Sequence, residues 1–263
     1  MGALLSNKNA VIYGAGGAIG GAVARAFACE GATVFLTGRD LKEVESVADE
    51  IRAAGGKAEA AQVDALDEAA IDKHLSDMEA SAGSVDISFN AVGIPDTKIL
   101  GVPLAELDAR QFSLPITTYT TSYFLTARQA ARHMIPNKSG VIMTVTALPS
   151  RMGSRLNGGY GSAQAAKEAL TRDLSAELAP QGIRVVGLRP HGMPETNRMK
   201  EAFDAKASGM TWEQFQGYLA STTHPRRVMT LEEMANMAVF MASDKASGMT
   251  GTTVNLTMGS LDD

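Results

Sequence analysis

The chain is poor in the residues that staple a fold, chelate a metal or coat a nucleic acid. Among 263 residues there is one cysteine, Cys29. No internal disulfide can form, and the expected setting is a reducing, cytoplasmic one. There are only four histidines, His74, His133, His191 and His224. They are scattered and share no ligand spacing with carboxylates or thiolates, so no metal site is expected. Basic side chains are outnumbered 24 to 29, for a net charge of -5, and that balance argues against a nucleic-acid partner. No apolar run has the length of a bilayer span, and no secretory apolar segment is read near the start. Met1-Gly2 followed by Ser6 matches an acylation pattern, but a strand begins almost at once and the match is taken as chance. Repeats, low-complexity tracts and linker-like breaks are also missing. With 45% hydrophobic and 20% charged residues, the expectation is one soluble globular domain spanning residues 1–263.

What the chain does have is concentrated between Val11 and Asp40. Val11-Ile12-Tyr13 runs into Gly14-Ala15-Gly16-Gly17-Ala18-Ile19-Gly20, an amphipathic segment follows, and Ala32 to Gly38 is apolar again. This reads as strand, glycine turn, helix and strand, one βαβ unit of the dinucleotide-binding kind. Residues without a Cβ let the backbone approach a pyrophosphate, and the helix behind them presents free N–H groups and a positive dipole end.

Alternation continues to the end of the chain. Helices are expected over Leu41–Ala54, Asp67–Ala82, Asp108–Met134, Tyr160–Ala179 and Leu231–Ser243. Strands are expected over Lys57–Asp64, Asp86–Gly93, Val141–Ala147, Arg184–Arg189 and Thr252–Thr257. Met193 to Val228 reads as a long excursion containing a helix. The pattern predicts an α/β fold: a Rossmann-type, doubly wound parallel sheet of about seven strands with helices on both faces. Ligands of such sheets lie beyond the carboxyl ends of the strands, here after Tyr13, Thr37, Val63, Val92, Ala147 and Arg189.

These blocks resemble the short-chain dehydrogenase/reductase family over essentially the whole chain. Gly14, Gly17, Ile19 and Gly20 fit its glycine turn, with Tyr13 in place of a threonine and Ala18 in place of the middle glycine. Asp64 fits an adenine-contacting aspartate, and Asn90-Ala91-Val92-Gly93 fits an Asn-Asn-Ala-Gly block. Arg189-Pro190 fits the strand before a Pro-Gly loop, though His191 stands where glycine is expected and would border the nicotinamide. Thr250-Gly251 to Gly259 fits the last strand. By the same likeness Tyr160 is the catalytic tyrosine. Its lysine partner four residues on is Gln164, the serine thirteen residues before it is Ala147, and the helical asparagine is Tyr119.

The resemblance implies a reductase with an unusual active site. A phenol near its reference pKa of ~10 is protonated at neutral pH, so Tyr160 suits proton donation to a carbonyl, an enone or an imine. Alcohol oxidation would have to overcome about three pKa units, roughly 4 kcal/mol. Gln164 can hydrogen-bond a ribose hydroxyl but supplies no charge. Thr146 and Ser150 flank the vacated serine position, and Thr146 is the candidate for holding a substrate oxygen. Lys167 lies seven residues after Tyr160, on nearly the same helix face. It matches a Tyr-x6-Lys spacing of related enoyl reductases but is read first as a solvated or partner-facing lysine. Gly38 followed by Arg39, with no carboxylate ending the second strand, favours NADP over NAD.

Met199, Phe203, Met210, Trp212, Phe215 and Tyr218 in the excursion raise a fairly large, apolar substrate. Small residues from Ala163 to Ala179 favour a homodimer or homotetramer. Two alternatives stand beside the reductase: a nucleotide- or ligand-binding protein without turnover, and a lyase or isomerase that reuses Tyr160 without hydride transfer.

Overall fold

The computed structural model describes residues 2–94, 99–206 and 209–262. Seven strands form one sheet: β1 (Asn9–Tyr13), β2 (Thr33–Gly38), β3 (Lys57–Gln62), β4 (Ile87–Asn90), β5 (Gly140–Val145), β6 (Ile183–Pro190) and β7 (Thr252–Leu256). All neighbouring pairs are parallel, in the order β3-β2-β1-β4-β5-β6-β7. The order reverses between β1 and β4, which places a ligand crevice above the ends of those two strands.

The central strands read as unbroken apolar runs because both of their faces are covered. Every residue of β5 is buried, as are Ala10 to Tyr13 of β1. The edge strand β3, Lys-Ala-Glu-Ala-Ala-Gln, keeps its charges exposed. The helices α1 (Ala18–Cys29), α2 (Leu41–Ala53) and α8 (Leu231–Ala242) share one apolar core beneath the sheet, around Val23, Phe27, Val44, Val47, Phe89 and Met234. The helices α3 (Glu68–Ala82), α4 (Ala109–Met134) and α5 (Tyr160–Leu178) lie over the other face, around Val11, Tyr13, Ile71, Leu75, Tyr123 and Ile142. In α2 the buried set Val44, Val47, Ala48 and Ile51 follows helical spacing.

Helix starts follow local chemistry. Asp40, Asp67 and Asp108 each accept backbone N–H bonds as N-caps. Thr230 with Glu233 closes a capping box at α8. Asp67 and Asp108, expected as first helical residues, are therefore the caps just outside.

The excursion differs from expectation. It carries two helices, α6 (Asn197–Lys206) and α7 (Trp212–Ser221). Thr211 with Gln214 forms a capping box that starts α7, a short signal easily lost among the apolar residues around it. No described helix is long and apolar enough to cross a membrane.

Candidate active site

A cleft of about 460 Å³ opens along the carboxyl edge of the sheet, at the reversal point. Its floor at one end is the glycine turn. Gly14 has φ +76°, and a Cβ there would meet Ala91 O at 2.7 Å. A Cβ at Gly20 would run into the carbonyl oxygen of Gly14. Both positions need glycine for close approach of backbone to backbone. The Gly14 and Ala15 amides donate to Thr37 O at 2.9 Å, tying the turn to β2. Ala18 and Ile19 open α1 and line the cleft. As in any opening helical turn, no carbonyl one turn earlier accepts from their amides, so the positive end of the helix points at the crevice. Ala18 is tolerated where the family turn has a glycine because it is already the first helical residue.

The adenosine end is lined by Gly38, Arg39 and Asp40 after β2 and by Val63, Asp64 and Leu66 after β3. Asp64 Oδ1 accepts from the Leu66 amide at 3.0 Å. Gln62 Nε2 donates to Arg39 O at 2.9 Å, joining the two loops. Glu43, which sequence reasoning passed over, also lines this end: a Cβ on Gly16 would sit 2.8 Å from Glu43 Cβ. A carboxylate thus shares the region with Arg39.

Ala91, Val92 and Gly93 form the middle of the floor. Asn90 does not line the cleft. Its Nδ2 donates to Thr126 Oγ1 at 3.0 Å, fastening β4 to α4, because at this strand end its side chain points into the helical layer. Pro190 is likewise buried at the end of β6 and does not line the cleft. His191 is buried beside it, with Nε2 3.0 Å from Thr222 Oγ1, so it links β6 to the end of α7. Burial pushes its pKa down.

At the far end the structure brings Tyr160, Gln164 and Thr146 together, with Tyr119, Lys167 and Arg198. Tyr160 begins α5, and two glycines make room for it. A Cβ at Gly159 would strike Phe112 O, and one at Gly161 would lie 2.8 Å from Pro149 O. Burial raises the Tyr160 pKa, so the phenol keeps its proton at neutral pH. Tyr119, in the asparagine's place, packs edge-on against it with ring centres 5.7 Å apart. The Ile94 amide donates to Tyr119 Oη at 3.4 Å.

Gln164 is 2% exposed, and its Oε1 has no hydrogen-bond partner. A buried acceptor left open on a cleft wall fits a ligand hydroxyl. Together with the glycine cradle and the opening turn of α1, it makes these residues compatible with a dinucleotide.

Lys167 is neither solvated nor partner-facing; it is 1% exposed and lines the cleft. Its Nζ donates to Val145 O at 2.7 Å and lies 5.7 Å from the Tyr119 ring centre. Desolvation pushes its pKa down to about 7. Helical spacing put it on the right face; only the docking of α5 over β6, which brings Lys167 to the end of β5, shows that face turned inward at its depth.

Two further features escaped sequence reasoning. Glu168 and Arg189 form a buried ion pair, with Nε to Oε1 at 2.8 Å and Nη2 to Oε2 at 3.0 Å. Glu168 Oε1 also accepts from Thr146 Oγ1 at 3.0 Å and from Ser150 Oγ at 2.6 Å. Both hydroxyls flanking Ala147 therefore spend their protons on this carboxylate. The second feature is Arg198 of α6, whose guanidinium carbon stands 3.9 Å over the centre of the Tyr160 ring.

A glycine turn beneath a reversal of strand order, with a tyrosine at the far end of the same cleft, defines a dinucleotide-binding α/β protein of the oxidoreductase kind. Comparison with known proteins agrees. A family model described as enoyl-(acyl carrier protein) reductase matches residues 14–260. An oxidoreductase of Bacillus subtilis strain 168 is 32% identical over 94% of this chain and 88% of its own. The 7alpha-hydroxysteroid dehydrogenase of Escherichia coli strain K12 is 30% identical over 97% of this chain and 94% of its own. A solved 7alpha-hydroxysteroid dehydrogenase, complexed with NADH and 7-oxo glycochenodeoxycholic acid, superposes with a TM-score of 0.85 at 28% identity, covering 97% of this chain and 94% of that one. The chain belongs to the short-chain dehydrogenase/reductase family.

Proposed function

We propose that this protein is an NADP-dependent reductase of a carbonyl, enone or imine, with Tyr160 as proton donor. One observation carries the reading. Tyr160 stands in the same cleft as the glycine turn, with its phenol held protonated by burial. A bound reduced nicotinamide would supply the hydride. Tyr160 Oη then gives its proton to the oxygen or nitrogen that receives the electron pair, and solvent restores it. The reverse direction needs the phenolate, which burial disfavours. Gln164 Oε1 accepts from a ribose hydroxyl, while Tyr119 excludes water behind the phenol. Thr146, already bonded to Glu168, retains oxygen lone pairs that can accept a hydrogen bond.

Arg39 supports NADP, since its guanidinium can pair with a 2′-phosphate; Glu43 in the same region weighs the other way. A homodimer or homotetramer built on α4 and α5 remains part of the proposal, with Leu114 and Phe124 exposed on α4.

The test follows absorbance of the reduced nicotinamide with a panel of activated ketones, enones and imines. Turnover is expected, and Tyr160→Phe should lower it on the order of a hundredfold or more while NADPH still binds. Turnover equal to the parent's in Tyr160→Phe would move the acid elsewhere. The absence of lysine and serine at Gln164 and Ala147 favours a second reading, a nucleotide-binding protein without turnover. Tight NADPH binding with no substrate reduced across the panel would establish that one.

A further inference from the structure

Lys167 has no task in the hydride transfer described above, yet it is the only lysine among the described residues that lines the cleft. Its single hydrogen bond runs from Nζ to Val145 O at the end of β5. No described carboxylate pairs with it. From α4 come two rings, Tyr119 and Tyr123, with centres 5.7 and 5.9 Å from Nζ. The Tyr123 hydroxyl is engaged with Thr171 Oγ1 at 3.1 Å. On α5 the next residue, Glu168, is committed to Arg189, Thr146 and Ser150. The amine therefore stands in the cleft wall with a carbonyl oxygen and two aromatic faces, and with no countercharge.

Such a setting favours the neutral amine over the ammonium, and desolvation brings the Lys167 pKa down to about 7. At pH 7 about half of the Lys167 amines carry a lone pair, against about one in a few thousand for a free lysine. A desolvated, unprotonated amine is an activated nucleophile. One N–H is fixed on Val145 O, which leaves the lone pair unengaged. A dry amine without a partner lowers stability, and departures of this kind collect at functional sites.

We propose that Lys167 is a covalent capture site, whose Nζ forms a Schiff base with the carbonyl carbon of a short aldehyde or ketone. This goes beyond the reductase reading and needs no nicotinamide. The Nζ lone pair adds to the carbonyl carbon, and the C=O π pair moves to oxygen. The two amine hydrogens leave with that oxygen as water, and a C=N bond remains. Nothing is oxidised or reduced. A proton from solvent gives the iminium, whose N–H retains Val145 O as acceptor and whose charge the Tyr119 and Tyr123 faces favour. The walls suit a short compound. Phe203, Trp212 and Phe215 pack on one another, with ring centres 5.2 to 5.7 Å apart, and none of them lines the cleft. The aromatic list that raised a large apolar substrate is thus the internal packing of α6 on α7. The excursion lines the cleft instead with Thr196, Asn197, Arg198 and Glu201.

The test exposes the full chain, free of nucleotide, briefly to butanal and then quenches it with borohydride, which fixes each imine as a butyl amine. Peptide mapping by mass spectrometry reads the label on every lysine. At pH 7 Lys167 should carry on the order of tenfold more label than the exposed Lys73 and Lys200. As pH rises, its label should level off above about 8, once the amine is deprotonated, while Lys73 and Lys200 go on gaining toward pH 10. Lys167→Met and Lys167→Arg should both remove the fast label and leave the slow ones, because neither side chain is an amine. Trp212 fluorescence reports whether each variant is folded, and mapping of the unsubstituted chain decides the matter even where one is not. Label on Lys167 no greater than on Lys73 and Lys200 would overturn the proposal. So would a Lys167 label that climbs in parallel with theirs up to pH 10.

Discussion

The two ends of the cleft are built from different material. The nucleotide end is mostly backbone: a glycine turn, the first amides of α1 and the ends of β1, β2, β3 and β4, all before residue 95. The reaction end is side chains, drawn from α4, β5, α5 and α6 and spread from Thr118 to Glu201. Backbone geometry depends on short local patterns, and a missing Cβ is visible in the sequence itself. Side-chain constellations depend on how separate helices dock, so one replacement can be answered by a residue far away. At this protein's reaction end, position 164 carries an amide, a buried amine stands one turn on at Lys167, and a guanidinium arrives from another element at Arg198.

That contrast can be broken by experiment. The largest effect is expected at the side-chain end. Glu168→Ala removes the buried carboxylate that Arg189, Thr146 and Ser150 all bond, and should cost about 3–5 kcal/mol of unfolding free energy. If the ends are as separate as they look, NADPH affinity of the folded fraction should change little; a parallel collapse of nucleotide binding would show that the ends form one unit. At the backbone end, Gly20→Val forces the turn away from Gly14 O, an overpacking cost of about 3 kcal/mol. It should appear as lost NADPH affinity in a binding titration, while chemical denaturation of the apo protein reports how much of the cost falls on the fold.

A smaller effect with a pH signature is expected at Lys167. Its folded pKa is about 7, well below the ~10.4 of a free lysine. Between those values the unfolded chain holds the proton and the native state does not. Stability therefore falls as pH drops through that window and stays lower beneath it. Lys167→Met should raise unfolding free energy on the order of 2 kcal/mol at pH 7, with the gain fading toward pH 10. A gain independent of pH would mean that the amine is not desolvated. The smallest effect belongs to Arg39→Ala, expected to reduce NADPH affinity by about 1 kcal/mol, roughly fivefold, with NADH unmoved. Glu43→Gln should shift the preference the other way.

The sequence-derived strands and helices agree with the structure to within a residue or two over most of the chain, because strand runs and helical spacing repeat often enough to average out local noise. The exception is the excursion, where one helix was expected and α6 and α7 are found. Phe203, Trp212 and Phe215 pack on one another, whereas Met210 and Tyr218 stay exposed, so the apolar residues form no single stripe to read. At the site, Gly14, Gly20, Asp64 and Tyr160 were legible as types at fixed spacing. Asn90 was legible as a residue but not as an orientation, since nothing local says that its amide bonds Thr126.

Taken alone, the amino-acid order determined the alternating α/β fold, the place of the crevice and the family. Each of these rests on periodicity, on glycines or on short capping motifs that act within a few residues. Tertiary structure alone decided that Lys167 is dry, that Glu168 and Arg189 pair beneath Thr146 and Ser150, and that Arg198 lies on Tyr160. Those facts arise where elements far apart in the chain are pressed together out of water. Burial and charge at such contacts are properties of the docked helices and strands, not of any one segment.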